Sequence, residues 1–150
     1  AKAPLSAMRF YYKSAKNLTA LFKDTRKNAY LIGPGAGVTP NTKSLALALL
    51  KHDKPLVLDA DALTVFEKNP QILFKAVRAR KSPTILTPHE GEFKRLFALG
   101  KNRIAAVQAA AKISGAIIVL KGSETIIAAP DGITYLNRHA APFLAKGGTG

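Results

Sequence analysis

Apolar positions return along this chain in two spacings. Some form short continuous runs, and others recur every three or four residues; the first pattern predicts buried strands and the second predicts helices with one apolar face. Ala29 to Ile32 is the first run, and G-P-G-A-G, Gly33 to Gly37, ends it. Thr39 is placed to cap a helix, with Pro40 at its first position. Leu45, Ala48 and Leu49 form its stripe, and Lys51 and His52 suit its negative end. Pro55 to Leu58 predicts a second strand, followed by D-A-D-A-L and a helix from Ala62 to Phe66. Thr84 to Leu86 predicts a third strand, followed by T-P-H-E-G-E-F. Glu90 and Glu92 suit the first turn of a helix whose buried face is Phe93, Leu96 and Phe97 and which Gly100 ends. A helix is predicted from Lys101 to Ser114, with Ile104, Val107 and Ala111 inward and Gly115 as its stop. Ala116 to Leu120 is a fourth strand. Ile126 to Ala129, the turn Pro130-Asp131-Gly132 and Ile133 to Leu136 then read as a β-hairpin. Within residues 1–28, only Leu18, Leu21 and Phe22 suggest a short helix, with Asn17 as its cap.

Strands alternating with helices predict a three-layer α/β/α domain with a mainly parallel sheet. Four strand-to-loop junctions then fall on one edge, where ligands bind in open α/β sheets. The chain has 150 residues, enough for one domain with a real core. Apolar residues make up 47% and charged residues 21%, which marks a globular chain rather than a disordered one. Its longest apolar run, Leu45 to Leu50, is too short to span a bilayer, and the N-terminus lacks a signal-peptide layout. Cysteine is absent, which excludes disulfides, thiolate zinc sites and a cysteine nucleophile. The only methionine is Met8, so Ala1 is not an initiator, and we expect a segment trimmed at both ends. The formal net charge is +14, but the basic residues are scattered, with no run of five. Such a surface raises the local concentration of anionic ligands. Nucleic acid is the alternative partner, though the chain has no helix-turn-helix, zinc-finger or aromatic RNA-binding signature.

The candidate chemistry sits in the glycine-rich and polar stretches. Ala145 to Gly150 reads A-K-G-G-T-G, and consecutive N–H groups in such a turn make an anion-binding concavity. A flexible glycine tail is the competing explanation. The G-P-G-A-G loop allows close backbone approach to a ligand, yet it matches neither the dinucleotide fingerprint nor a P-loop. Of Asp59 and Asp61, one caps the following helix and the other faces the site. His89 lies at a helix N-terminus on the ligand edge. Lys121 ends a buried strand beside a glycine, where its ammonium can meet a phosphate, and Arg138, His139, Pro142 and Lys146 lead into the terminal glycines.

The ordered set I-G-P-G-A-G, L-D-A-D-A-L, T-P-H-E-G-E-F, L-K-G-S-E-T and A-K-G-G-T-G closely resembles the ADP-dependent NAD(P)H-hydrate dehydratases. These are carbohydrate kinase-related repair enzymes of the ribokinase-like superfamily. The resemblance covers about residues 29–150, while residues 1–28 carry no matching motif. It implies dehydration of the 6S hydrates of NADH and NADPH, a lyase reaction driven by ADP or ATP with Mg2+. It implies that Gly35, Gly37, Asp61 and His89 line the hydrate pocket. Lys121, Gly122, Ser123, Glu124 and Thr125 would hold the nucleotide, together with Gly150. Gly147, Gly148, Thr149 and Gly150 would form the anion hole for the transferring phosphoryl group, and no metal-ligating side chain is implied. It also implies a cytoplasmic homo-oligomer, in some relatives fused to an epimerase domain, with no membrane and no nucleic acid as partner.

Two departures qualify that resemblance. The family's G-G-T-G is followed by an aspartate that activates the hydroxyl, whereas this sequence ends at Gly150. The family also has a glycine-rich strand–loop–helix ahead of the first matched loop, and closing helices after the anion hole. We therefore expect a partial domain with little activity alone and with exposed apolar surface. The alternatives are a small-molecule kinase of the same superfamily, or a basic fragment that binds without catalysis.

Overall fold

The computed structural model describes residues 24–138. The A-K-G-G-T-G run, His139, Pro142, Lys146 and the Leu18–Leu21–Phe22 stripe lie outside the described residues. The elements are β1 (Tyr30–Ile32), α1 (Pro40–Leu50), β2 (Leu56–Leu58), α2 (Asp61–Thr64), α3 (Pro70–Arg78), β3 (Thr84–Leu86), α4 (Glu90–Leu96), α5 (Arg103–Ser114), β4 (Ile117–Leu120), β5 (Thr125–Ala128) and β6 (Thr134–Asn137). They form one mixed six-stranded sheet in the order β1-β2-β3-β4-β5-β6. Strands β1 to β4 are parallel, and β5 and β6 add as an antiparallel hairpin.

Each parallel crossover steps to the next strand in the same direction. Right-handed crossovers that always step one way put their helices on one face of the sheet. Burial follows: Ile32, Leu58, Leu86, Ile118 and Ala128, paired across the sheet, are all buried. The residues between them form a second apolar row, Leu31, Val57, Ile85 and Ile117, in which Leu31 is 65% exposed. The described residues thus supply the sheet and one helical layer of the α/β architecture. Among them, no helix is long and apolar enough to cross a membrane.

Several local expectations need correction. Pro70–Arg78 is a helix that the sequence reading passed over. Pro70 stands at its first turn, and Leu73, Phe74 and Val77 form a buried stripe at helical spacing. Helix α4 stops at Leu96 rather than running to Gly100; Phe97 is extended, and its ring stacks on Phe74 at 5.0 Å between centroids. Helix α5 begins at Arg103, capped by Asn102, and its buried face is Val107, Ala110, Ala111 and Ser114. Ile104, expected inward, is 40% exposed, because the core contact lies one position round the helix. The helix after D-A-D-A-L is a single turn, Asp61–Thr64, although Phe66 beyond it is fully buried. Ala46 and Leu50, rather than Ala48, complete the buried side of α1. The end of α1 is closed mainly by Arg80: its Nη1 donates to the carbonyls of Leu49, Leu50 and His52, and burial pushes the guanidinium pKa down.

The tightest backbone approach joins the first two strands. Gly33 has φ +137°, and a β-carbon there would lie 1.7 Å from the Asp59 carbonyl oxygen. Gly33→Ala therefore meets both a left-handed φ and a backbone clash. It is expected to destabilise the full-length protein by about 3 kcal/mol or more. Urea unfolding measures this, and a loss below about 1 kcal/mol would show that the β1–β2 contact relaxes.

Candidate functional site

Because β1 to β4 are parallel and in sequential register, their carboxyl ends share one edge. Gly33–Gly37, Asp59–Asp61, Thr87–Glu92 and Lys121–Thr125 therefore come together there, as the motif order predicts. The first loop takes left-handed φ values at Gly33, Gly35 and Gly37. Thr42 of α1 steadies it: its hydroxyl donates to the Gly37 carbonyl at 2.6 Å, with the Ala36 carbonyl at 3.0 Å. A β-carbon at Gly35 would meet nothing within 4 Å, so the loop is open at that point.

Neither aspartate is a helix cap, which corrects the expectation that one of them would be. Ala60 occupies the cap position of α2 without a side-chain bond, and it is the only described non-glycine residue with positive φ, at 48°. Asp61 reaches back to the glycine loop, where its Oδ2 accepts the Gly37 N–H at 2.8 Å. Asp59 Oδ1 accepts the Ala60 N–H at 2.9 Å and meets Lys121 Nζ at 2.6 Å. The second loop thus ties the first loop to the fourth.

His89 caps α4. Its Nδ1 accepts the N–H groups of Gly91 and Glu92, at 3.0 and 3.3 Å, while the buried Glu92 carboxylate accepts the His89 N–H at 2.8 Å. This is a capping box with histidine in the usual serine or threonine place. An accepting Nδ1 puts the neutral ring's proton on Nε2, 3.3 Å from Glu92 Oε1. The side chain is 57% exposed, so the ring faces the open edge. A parallel bridge pairs His89 with Lys121, whose N–H donates to the Pro88 carbonyl at 2.9 Å. The histidine and the start of K-G-S-E-T are thereby held side by side.

Gly122, Ser123 and Glu124 are exposed, and Thr125 opens β5. Arg103, which the sequence reading did not select, lies against this loop: a β-carbon at Gly122 would sit 3.3 Å from its Nη2. Arg103 Nη1 also pairs with Glu90 Oε2 at 2.7 Å, and Lys94 Nζ with Glu90 Oε1 at 2.7 Å. Glu92 was equally missed as a site element, although its H-x-x-E spacing is a capping-box signal. No local signal marks Arg103, because its neighbour Gly122 is distant in sequence. A cavity of about 780 Å³ lies apart from these motifs, between the last turn of α1 and one side of α3, lined by Leu47, Leu50, Ile72, Lys75 and Arg80 among others.

Lys94 first, and then Arg103, hold the Glu90 carboxyl below its ordinary value of 4.5. A carboxylate depressed in the folded state stabilises it above the unfolded pKa, and that contribution is lost as pH falls through the folded value. The stability difference between wild type and Glu90→Gln should therefore stay constant near neutrality and shrink as pH drops below about 4.5. Thermal unfolding across that range reads it out; a pH-independent difference would show that the charge of Glu90 is not what matters.

Comparison with known proteins identifies the family. The family model described as NAD(P)H-hydrate dehydratase matches residues 2–150. The chain is 41% identical over 128 residues to the bifunctional NAD(P)H-hydrate repair enzyme Nnr of Synechocystis, covering 84% of this chain and 24% of that protein. Nnr of Mycobacterium tuberculosis is 38% identical over 127 residues, covering 83% and 26%. Among solved structures, the ADP/ATP-dependent NAD(P)H-hydrate dehydratase of Bacillus subtilis, co-crystallised with ATP and Mg2+, superposes with TM-score 0.69 at 37% identity. That match covers 81% of this chain and 42% of the other. A ribokinase-like superfamily protein of Enterococcus faecalis has TM-score 0.69 at 27% identity, covering 89% and 46%. The chain thus spans about a quarter of the bifunctional relatives and under half of the solved ones. The mixed sheet is of the ribokinase-like kind, and the chain belongs to the NAD(P)H-hydrate dehydratase family.

Proposed function

We propose that the protein containing this chain dehydrates (6S)-NADH hydrate and NADPH hydrate at the expense of ADP or ATP. The observation that carries the reading is the convergence of four family motifs on one sheet edge, with His89 zipped beside Lys121. The terminal phosphoryl group of the nucleotide passes to the C6 hydroxyl of the hydrate. The bond from phosphorus to the nucleotide breaks as the bond to the hydroxyl oxygen forms, and the hydroxyl proton goes to a base. The C6–O bond then breaks, C5 loses a proton, and inorganic phosphate leaves with the C5=C6 double bond restored. Such a transfer depends chiefly on positioning and on stabilising charge.

In this reading Gly35 and Gly37 line the hydrate pocket by the close approach that their missing side chains allow, and Asp61 keeps their loop in shape through the Gly37 N–H. His89, whose side chain is 57% exposed, lines the hydrate pocket. Lys121 to Thr125 hold the nucleotide phosphates, and Gly147 to Gly150 cradle the phosphoryl group in transit. Mg2+, when bound with the nucleotide, neutralises charge on the phosphates. The protein would act in the cytoplasm as a homo-oligomer beside an epimerase activity, and the bifunctional names of the relatives fit the last point.

The direct test supplies the full-length protein with NADH hydrate, Mg2+ and either ADP or ATP. NADH absorbance should return, one nucleotide being spent per hydrate. A stable phosphorylated small molecule with no NADH recovered would instead establish a kinase. Binding to random DNA that fades steeply with salt, without turnover, would favour the basic binding fragment.

Two substitutions at His89 separate its folding role from its chemical one. Asparagine is a good N-cap, so His89→Asn should leave stability within about 0.5 kcal/mol while KM for the hydrate rises. His89→Ala should raise KM similarly and also cost about 1 kcal/mol of stability. Unchanged KM in both would remove His89 from the hydrate pocket.

A further inference from the structure

The ion pair between Lys121 and Asp59 spans an unusual distance along the sheet. Asp59 follows β2 and Lys121 follows β4, so β3 lies between them. Neighbouring strands are about 4.8 Å apart, so the pair bridges roughly 10 Å of sheet edge. Lys121 Nζ nevertheless meets Asp59 Oδ1 at 2.6 Å. Its side chain is therefore drawn across the end of β3, away from its own loop at Gly122–Thr125 and toward the glycine loop after β1. The two side chains are 43% and 23% exposed, and pairs so placed contribute little to stability. The main consequence is directional, because a long flexible cation is held on one heading.

Asp59 is well suited to hold it. Its main-chain N–H donates to the Ile32 carbonyl at 3.1 Å, its carbonyl oxygen abuts Gly33, and its Oδ1 also accepts the Ala60 N–H. The Asp59 main chain is thus anchored beside Ile32 and Gly33, and its carboxylate is fixed by the Ala60 N–H. An ammonium has three N–H donors, so Lys121 can keep one on Asp59 and offer the others to phosphate oxygens.

We propose that Asp59 is a positioning residue, which holds the Lys121 ammonium between the glycine loop and the K-G-S-E-T loop, aimed at the phosphoryl group in transit. The inference rests on the dehydratase reading above. Without Asp59, the Lys121 ammonium stays near the nucleotide but loses its fixed heading, so transfer suffers and binding does not. Charge stabilisation accelerates a step only where it is stronger in the transition state than in the bound ground state.

The test is a double-substitution cycle in the full-length protein, read as kcat for NADH recovery and as ADP dissociation constant. Asp59→Asn keeps an acceptor for the Ala60 N–H and removes the charge. It should lower kcat on the order of 10- to 100-fold, with ADP affinity within about threefold of wild type. In a Lys121→Met background the same change should cost less than about threefold more. Asp59→Glu, which keeps the charge but displaces it, should lower kcat at unchanged ADP affinity and serves if Asp59→Asn does not fold. Additive losses would overturn the proposal, since Asp59 would then act without Lys121. A loss confined to ADP affinity would overturn it too, as would wild-type kcat in Asp59→Glu. Wild-type protein that recovers no NADH would sink the dehydratase reading and this inference together, whereas activity with an additive cycle would sink this inference alone.

Discussion

Sequential parallel pairing of β1 to β4 is the constraint on which the rest depends. Each strand is only three or four residues long, yet the pairing sends every carboxyl end to the same edge. Every loop that leaves the carboxyl ends of β1 to β4 carries one of the glycine-rich or polar motifs. The backbone approach of Gly33 to Asp59 sets the closeness of the first two strands, and hence the place of their loops. A side chain at residue 33 would push apart the very backbone from which the Asp59 and Asp61 carboxylates project.

The loops are then locked by polar contacts more than by packing. Thr42 and Asp61 grip the glycine loop from the helix behind and the loop beside it. The His89–Glu92 capping box orients the imidazole while leaving it more than half exposed. Asp59 and Lys121 link the second junction to the fourth over the end of the third. Side chains that satisfy helix ends and loop N–H groups thus also preorganise the edge, and such fixed donors and charges are what phosphoryl transfer draws on.

Charge on the chain is not spread evenly in its effects. Most of the described lysines and arginines are exposed, where single charges act on association more than on stability. A few are spent locally: Arg80 closes the end of α1, and Arg103 with Lys94 holds Glu90 beside the K-G-S-E-T loop. The Arg103 guanidinium next to Gly122 adds positive charge to the K-G-S-E-T loop.

By itself, the sequence determined the strand and helix alternation, the third strand to the residue, the Thr39 cap, the Gly115 stop and the hairpin. Each of these is local: an apolar run, a capping side chain, or a glycine with φ +75° in the case of Gly115. It also determined the motif order, and with it the family. Helix α3 is legible too, through Pro70 and the Leu73–Phe74–Val77 stripe, because both signals are local. The tertiary structure alone decided what each polar residue does once the motifs meet. Asp61 reaches Gly37 across 24 residues and Asp59 reaches Lys121 across 62, so no window of sequence contains either pair. Local reading assigned an aspartate to a cap because capping is the commonest use of that residue before a helix. Sheet pairing brought nearer and stronger partners, and the carboxylates went to those instead.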